Sequence, residues 1–155
     1  MSSHTLFEQA LAVGRPPNVR ELFPHSRALL VSGKIIDRAL LAKGKAITMA
    51  ANGRSYFVIR GALQAAQRAN AALIIEIAKS ESTYCPVNFY NIARLVDGAC
   101  NELGITIPVA VHADHYGLKS ADEVAAAKIE IPTLFEAGIT SIAIDASHMP
   151  DDQTC

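Results

Sequence analysis

An α/β fold with a parallel sheet is the class this sequence predicts, and three observations predict it. First, after two opening helices, short apolar runs alternate with stretches of helical periodicity, in the order β-α-β-α-β-α-β. Second, Ile107-Pro-Val-Ala-Val111 is apolar throughout rather than alternating, the pattern of a strand buried on both faces. Third, strand starts recur at intervals of about 26 to 35 residues, the spacing of a (β/α)8 barrel. A closed barrel needs about 250 residues, and these 155 offer four strands. The sheet is therefore either open or half of a barrel.

Size and composition narrow the function classes. The chain is 50% hydrophobic and 19% charged, which suits one globular domain with a real core. Fourteen basic against fifteen acidic residues, with no basic run, argue against a nucleic-acid surface. The longest apolar stretch, Ala71–Ile75, is far too short to span a membrane. The opening Met1-Ser-Ser-His-Thr5 lacks the layout of a signal peptide. Cys85, Cys100 and Cys155 are odd in number and show no metal or redox spacing, so reduced thiols in a cytoplasmic protein are expected.

Residues 1–45 read as a helical segment. Phe7, Leu11, Leu22 and Phe23 are its first apolar positions, interrupted by Gly14-Arg-Pro-Pro17. A second helix is expected from about Ser26 to Leu41, with Gly33 a point where it splits, ending at Lys43-Gly44-Lys45. Residues 46–155 carry the alternating pattern. Ala46–Ala51 is the first strand, closed by Asn52-Gly53, and a helix follows from Tyr56 to Asn70. Ala72–Ala78 is the second strand. Pro86 is read as the first turn of the next helix, which ends near Leu103 before Gly104. Thr106–Val111 is the third strand, with Gly117 marking the turn beyond it. Ser120 and Glu123 form a capping box for a helix running towards Ile129 that Pro132 interrupts. Ser141–Ile144 is the fourth strand.

Chemistry collects where the strands end. His112, Asp114 and His115 follow the third strand at once. On an extended chain His112 and Asp114 point one way and His115 the other, whereas a turn at Asp114 would change that. Imidazoles are good zinc ligands and an adjacent carboxylate can donate or accept a proton. Structural alternatives are a sheet-end histidine and an Asp114 that caps a helix. Asp145, closing the fourth strand before Ala-Ser-His148, reads equally as a cation ligand or an Asx-turn residue. Asn52 reads as a substrate hydrogen-bonder or a turn residue. Glu76 is the odd charge in its apolar strand and faces either the sheet interior or an edge. Three of these strand ends lie on one side of a parallel sheet, where α/β barrels place their active sites.

At these residues the chain resembles the class II, metal-dependent fructose-bisphosphate aldolases. Val109-Ala-Val-His-Ala-Asp-His115 is similar to the family's strand ending in His-x-Asp-His, and Gly138-Ile-Thr-Ser-Ile-Ala-Ile-Asp-Ala-Ser-His-Met-Pro150 is closer still to a second family segment. Gly61–Ala66 and Ala72–Ile77 fit its first helix and second strand, so that the resemblance runs from about Ala46 to Asp151. It implies a TIM barrel of which this chain is the N-terminal half, with an N-terminal helical extension. It implies reversible aldol cleavage of fructose 1,6-bisphosphate to dihydroxyacetone phosphate and glyceraldehyde 3-phosphate, with zinc polarising the ketose carbonyl. His115 would ligate zinc and Asp145 would belong to an alternative metal position. Asp114 would move the proton at the aldehyde oxygen, and Asn52 would contact the substrate.

The sequence also departs from the family pattern. The family's other two zinc histidines, its phosphate loops and a later carboxylate have no counterpart in these residues. Ala78 stands where the family often has Ser. A catalytically incomplete chain that self-associates, as a homo-oligomer or with a partner, is expected. Alternatives are a tagatose-bisphosphate aldolase, a non-catalytic α/β module that binds a metal or phosphorylated ligand, and a metal-dependent hydrolase using His112 with His115.

Overall fold

The computed structural model describes residues 3–149; Pro150, Asp151 and Cys155 lie outside the described residues. Strands β1 (Met49–Asn52), β2 (Leu73–Ala78), β3 (Val109–Gly117) and β4 (Ser141–Asp145) form one sheet in the order β1-β2-β3-β4. Every pairing is parallel. Helices α1 (Ser3–Gly14), α2 (Pro17–Leu22) and α3 (Gly33–Lys43) precede the sheet, and α4 (Tyr56–Ala69), α5 (Ile92–Leu103) and α6 (Ala121–Glu136) connect its strands. Four sequential parallel strands joined by helices are the arrangement of half a (β/α)8 barrel.

The connecting helices form where their ends are satisfied and one face is apolar. In α4 the Ser55 hydroxyl accepts the Val58 N–H at 3.4 Å, and Asn70 closes the helix in the left-handed region. In α6 the Ser120 hydroxyl accepts the Glu123 N–H at 3.3 Å. The Glu123 carboxylate reaches back to the Lys119 N–H at 2.8 Å, one residue before the cap. Ile59 and Leu63 of α4, Ile92 and Val96 of α5, and Leu134 of α6 are buried in one cluster with Leu73, Ile75, Ile77, Val109, Val111 and Ala113 of the sheet. That is the sheet's outer face. A second cluster of Leu29, Val31, Ile36 and Ala110, with Phe7, Leu11, Leu40 and Ile74 against it, covers the lower part of the inner face.

Five expectations are corrected. Residues 26–32 are not helical. Leu30 bridges Val109: the Val109 N–H donates to the Leu29 carbonyl at 3.0 Å and the Val31 N–H donates to the Val109 carbonyl at 2.8 Å. β4 first meets β3 at His112, so the polar backbone of β3 below that point needs another partner, and this segment supplies it. Gly33 starts α3 instead of splitting a longer helix. A side chain there would stand 2.5 Å from the Ser141 hydroxyl oxygen.

Pro86 does not open α5. The chain makes a 3-10 turn at Glu81–Thr83, and the Asn88 side chain then accepts the N–H groups of Tyr90 and Asn91 at 2.9 and 3.1 Å. Side-chain bonds of this kind compete with helix geometry, and α5 waits until Ile92. Pro132 does not interrupt α6, because it lies on an exposed face where water can take up the freed carbonyl. Finally, β3 does not end at Val111 but runs on to Gly117.

The stitch at Leu30 yields a prediction. Leu30 is fully buried, so Leu30→Ala should cost about 2–5 kcal/mol, read as a lowered urea midpoint at unchanged slope. A loss below about 1 kcal/mol would mean that the segment is not integral to the sheet.

Candidate active site

Parallel register brings polar residues from neighbouring strands into rows on the inner face. Asn52 pairs with Glu76, Glu76 with His112 and His112 with Ser141, so these four side chains share one row. Ala78 and Asp114 pair one step higher, towards the C-terminal ends of the strands. Below, Ala50, Ile74 and Ala110 form an apolar row. Glu76 therefore faces inward, which its sequence position left open.

Above Asp114 the register breaks. Ala113 pairs with Ile142, but Tyr116 pairs with Ile144, so β3 carries an extra residue there. His115 sits in this bulge with φ of +44°. Histidine visits the left-handed region more readily than most side chains, at some cost. The bulge overrides simple alternation and turns the imidazole to the side of Asp114. Nε2 of His115 lies 3.7 Å from Oδ2 of Asp114, and Nδ1 lies 3.5 Å from Oδ2 of Asp145. Asp114 stands between two imidazoles, with its Oδ1 3.9 Å from Nε2 of His112. The His115 side chain is 72% exposed, so a ligand can reach it.

Burial and hydrogen bonding set the charges. Burial lowers the His112 pKa, which favours the neutral, ligating imidazole. Burial, and then the charge of Asp114, raise the pKa of Glu76. Asp145 is held down at about 2, first by bonding to Ser147 and further by His115. Its Oδ1 accepts the Ser147 N–H at 2.9 Å, so Asp145 makes an Asx turn while its other oxygen faces His115. Asp114 lies within β3, and α6 is capped by Ser120 instead.

Asn52 does not join Asp114, His115 and Asp145. Its Nδ2 donates to Glu81 Oε2 at 2.7 Å, and its Oδ1 is buried without a hydrogen-bond partner among the described residues. Glu81 is a residue that sequence reasoning missed. It is buried and accepts from Asn52, from the Ala78 N–H at 3.2 Å and from the Arg54 guanidinium, whose Nε lies at 2.6 Å. Burial alone would raise its pKa; bonds from Asn52 and Arg54 outweigh burial and hold it low. The only signal in the sequence was an acidic residue just beyond β2, a common surface pattern.

Two places can hold a metal. One is at the exposed His115, whose Nε2 faces Asp114 and whose Nδ1 faces Asp145, so that an ion there is shared with one carboxylate or the other. An accessible imidazole between two carboxylates suits a divalent transition metal. The other is deeper: ligand atoms of Glu76, His112 and Asp114 all lie within 4.8 Å of one another. Beside the outer group is a cavity of about 380 Å³, lined among others by Lys79, Ser80, His115, Lys119, Asp145 and His148.

A parallel βα sheet with titratable side chains at its C-terminal end has the layout of a barrel enzyme. The particular family follows from comparison: the model of class II fructose-bisphosphate aldolase matches residues 33–154, and the chain belongs to that family. Class II aldolases are metal-dependent. Over 91 residues the chain is 38% identical to a fructose-bisphosphate aldolase of Staphylococcus aureus (strain Mu50 / ATCC 700699). Over the same length it is 37% identical to one of Staphylococcus epidermidis (strain ATCC 12228) and 33% identical to one of Geobacillus stearothermophilus. Each match covers 59% of this chain but only 28% of the relative.

Two predictions test this geometry. His115→Gly, measured in chelator, should raise stability by about 1 kcal/mol, because glycine adopts positive φ without strain; a loss of stability would mean the bulge is not strained. Glu81→Gln should cost about 2 kcal/mol at pH 7. The folded pKa of Glu81 lies below its ordinary 4.5. Its stabilising effect is therefore complete above that value and fades as pH falls through the folded pKa, so the variant and the wild type converge in acid. Urea titrations at pH 7 and pH 3 read both, and a pH-independent gap would contradict the assignment.

Proposed function

We propose that this chain supplies the metal-binding and proton-transferring strands of a zinc-dependent aldolase that cleaves fructose 1,6-bisphosphate to dihydroxyacetone phosphate and glyceraldehyde 3-phosphate. The observation that carries this reading is the bulged His115, turned beside Asp114 and Asp145 at the C-terminal end of a parallel sheet. Family membership supports it.

His115 and Asp145 would hold the zinc. When bound, the metal supplies a Lewis acid for the ketose carbonyl. The rest is done by the chain's own groups. Asp114 presents Oδ2 towards the His115 side of the site, where it takes the proton from the substrate hydroxyl on cleavage and returns it on condensation. Asn52, with its Nδ2 tied to Glu81, would contact the substrate. Lys79 and Lys119, which line the adjoining cavity together with Glu123 and Asp145, would offer ammonium groups to a phosphorylated sugar.

The segment 1–45 would serve as the helical extension and 46–155 as the N-terminal half of the barrel. Four strands leave the sheet open at β1 and β4, where Met49 and Ile144 are 68% and 56% exposed. Further strands that continue the sheet at these edges, from a chain that carries the family's remaining zinc and phosphate ligands, would complete the site. A cytoplasmic setting goes with the aldolase reading; among the described residues no helix is long and apolar enough to cross a membrane.

The test is cleavage of fructose 1,6-bisphosphate in a coupled assay by the barrel completed with the strands that carry the remaining ligands, with zinc and with chelator. Zinc-dependent cleavage that falls by about 10²–10⁴ in Asp114→Asn is the expected result. Faster cleavage of tagatose 1,6-bisphosphate would change the sugar and keep the chemistry. Zinc-dependent sugar-phosphate binding without cleavage, in every oligomeric form, would favour a binding module. No binding at all would contradict the proposal.

A further inference from the structure

The inner face of the sheet carries an electrostatic problem that the outer metal position does not solve. Glu76 and Asp114 project from neighbouring strands onto the same half-buried surface, with the His112 imidazole beside them. Among the described residues neither carboxylate pairs with a lysine or arginine; the ion-pair neighbours of Asp114 are His112 and His115, at 3.9 and 3.7 Å. In the same row, beside Glu76, stands Asn52, whose Oδ1 is buried and lacks a hydrogen-bond donor. Buried oxygens left without a donor are costly. Here carboxylate oxygens and one imidazole nitrogen gather on one patch of the sheet, and among the described residues only imidazoles stand beside them.

We propose that Glu76, His112 and Asp114 form a second, inner binding site for a first-row divalent transition metal. The mutual spacing of the three ligand atoms, within 4.8 Å, is close to what ligands sharing one such ion require, and small side-chain rotations close the remainder. The donor set chooses the kind of ion. Carboxylates alone would suit magnesium, calcium or manganese, whereas an added imidazole favours later first-row ions such as zinc, with cobalt as its spectroscopic substitute.

The two positions share one residue without competing for the same atom. Asp114 turns Oδ1 to His112 and Oδ2 to His115. An inner ion on Oδ1 fixes the Asp114 carboxylate and leaves Oδ2 for the outer chemistry. The inner site rests on the register of β2 and β3 and does not depend on the aldolase reading.

The experiment is a titration of the full chain with CoCl2, followed by visible absorption and calorimetry. It is repeated with ZnCl2, and in the presence of millimolar MgCl2. His115→Ala should retain a cobalt site that magnesium does not displace. Adding Glu76→Gln or His112→Gln to His115→Ala should weaken that site by about ten-fold or more, as loss of a ligand must exceed loss of a supporting contact. Both added substitutions are near in size to the original side chain, and circular dichroism with a urea midpoint verifies the fold. If His115→Ala alone removes all binding, or if the added substitutions leave the remaining site unchanged, the inner site does not exist. Binding lost only on Glu76→Gln or His112→Gln would uphold the inner site and remove the outer, aldolase-type one, so the two proposals fail separately.

Discussion

The break in register between Ala113 and Tyr116 is the constraint on which the site depends. Up to Ala113 the parallel ladder is regular, and side chains alternate between the helix-covered face and the inner face. Without the extra residue, His115 would continue that alternation and point into the helical layer, away from Asp114. The bulge, with His115 at positive φ, reverses it. Backbone strain of this kind persists when the surroundings over-determine it. Here Tyr116 supplies the anchor: it is fully buried, stacks on Phe89 and donates its hydroxyl hydrogen to Glu130. The aromatic ring thus fixes the strand beyond the bulge, and the imidazole has little choice of direction.

Around this break the sheet grades from apolar to charged. The lower row of Ala50, Ile74 and Ala110 is sealed by the N-terminal segment, and the rows above carry Asn52, Glu76, His112 and Asp114. The N-terminal segment is therefore part of the site's foundation: Leu30 completes the hydrogen bonding of β3 below the point where β4 begins. On the other flank, Glu81 ties β1 to β2 by holding Asn52 and the Ala78 N–H together. Buried polar networks repay their desolvation only when their members are satisfied. Glu81 is satisfied; the Asn52 oxygen and the Glu76 carboxylate are the groups left facing inward, which is where a ligand would be expected.

The parts of this structure legible in the sequence were those governed by local rules. Ile59 and Leu63 at helical spacing, Ser120 with Glu123, and the apolar runs of β2 and β3 gave their elements to within a few residues. The convergence of Asp114, His115 and Asp145 was legible because parallel strands end on the same side. What local rules missed depended on distant partners. Ala28–Val31 has the composition of a helix, yet it is extended because β3 needs a neighbour there. Asn88 and Asn91 delay α5 by binding their own backbone, and Pro132 is harmless on an exposed face. Glu76 could be assigned a face only once the register was known, and Glu81 gained meaning only from Asn52 and Arg54.

The central claim is that the bulge turns His115 into a metal ligand beside Asp114 and Asp145. Crystals grown with zinc, with anomalous scattering recorded above and below the zinc edge, test it most directly. The account predicts an anomalous peak about 2.0–2.1 Å from an imidazole nitrogen of His115, with that residue still at positive φ. A His115 that continues the strand in extended geometry, or zinc bound only at positions remote from it, would contradict the account.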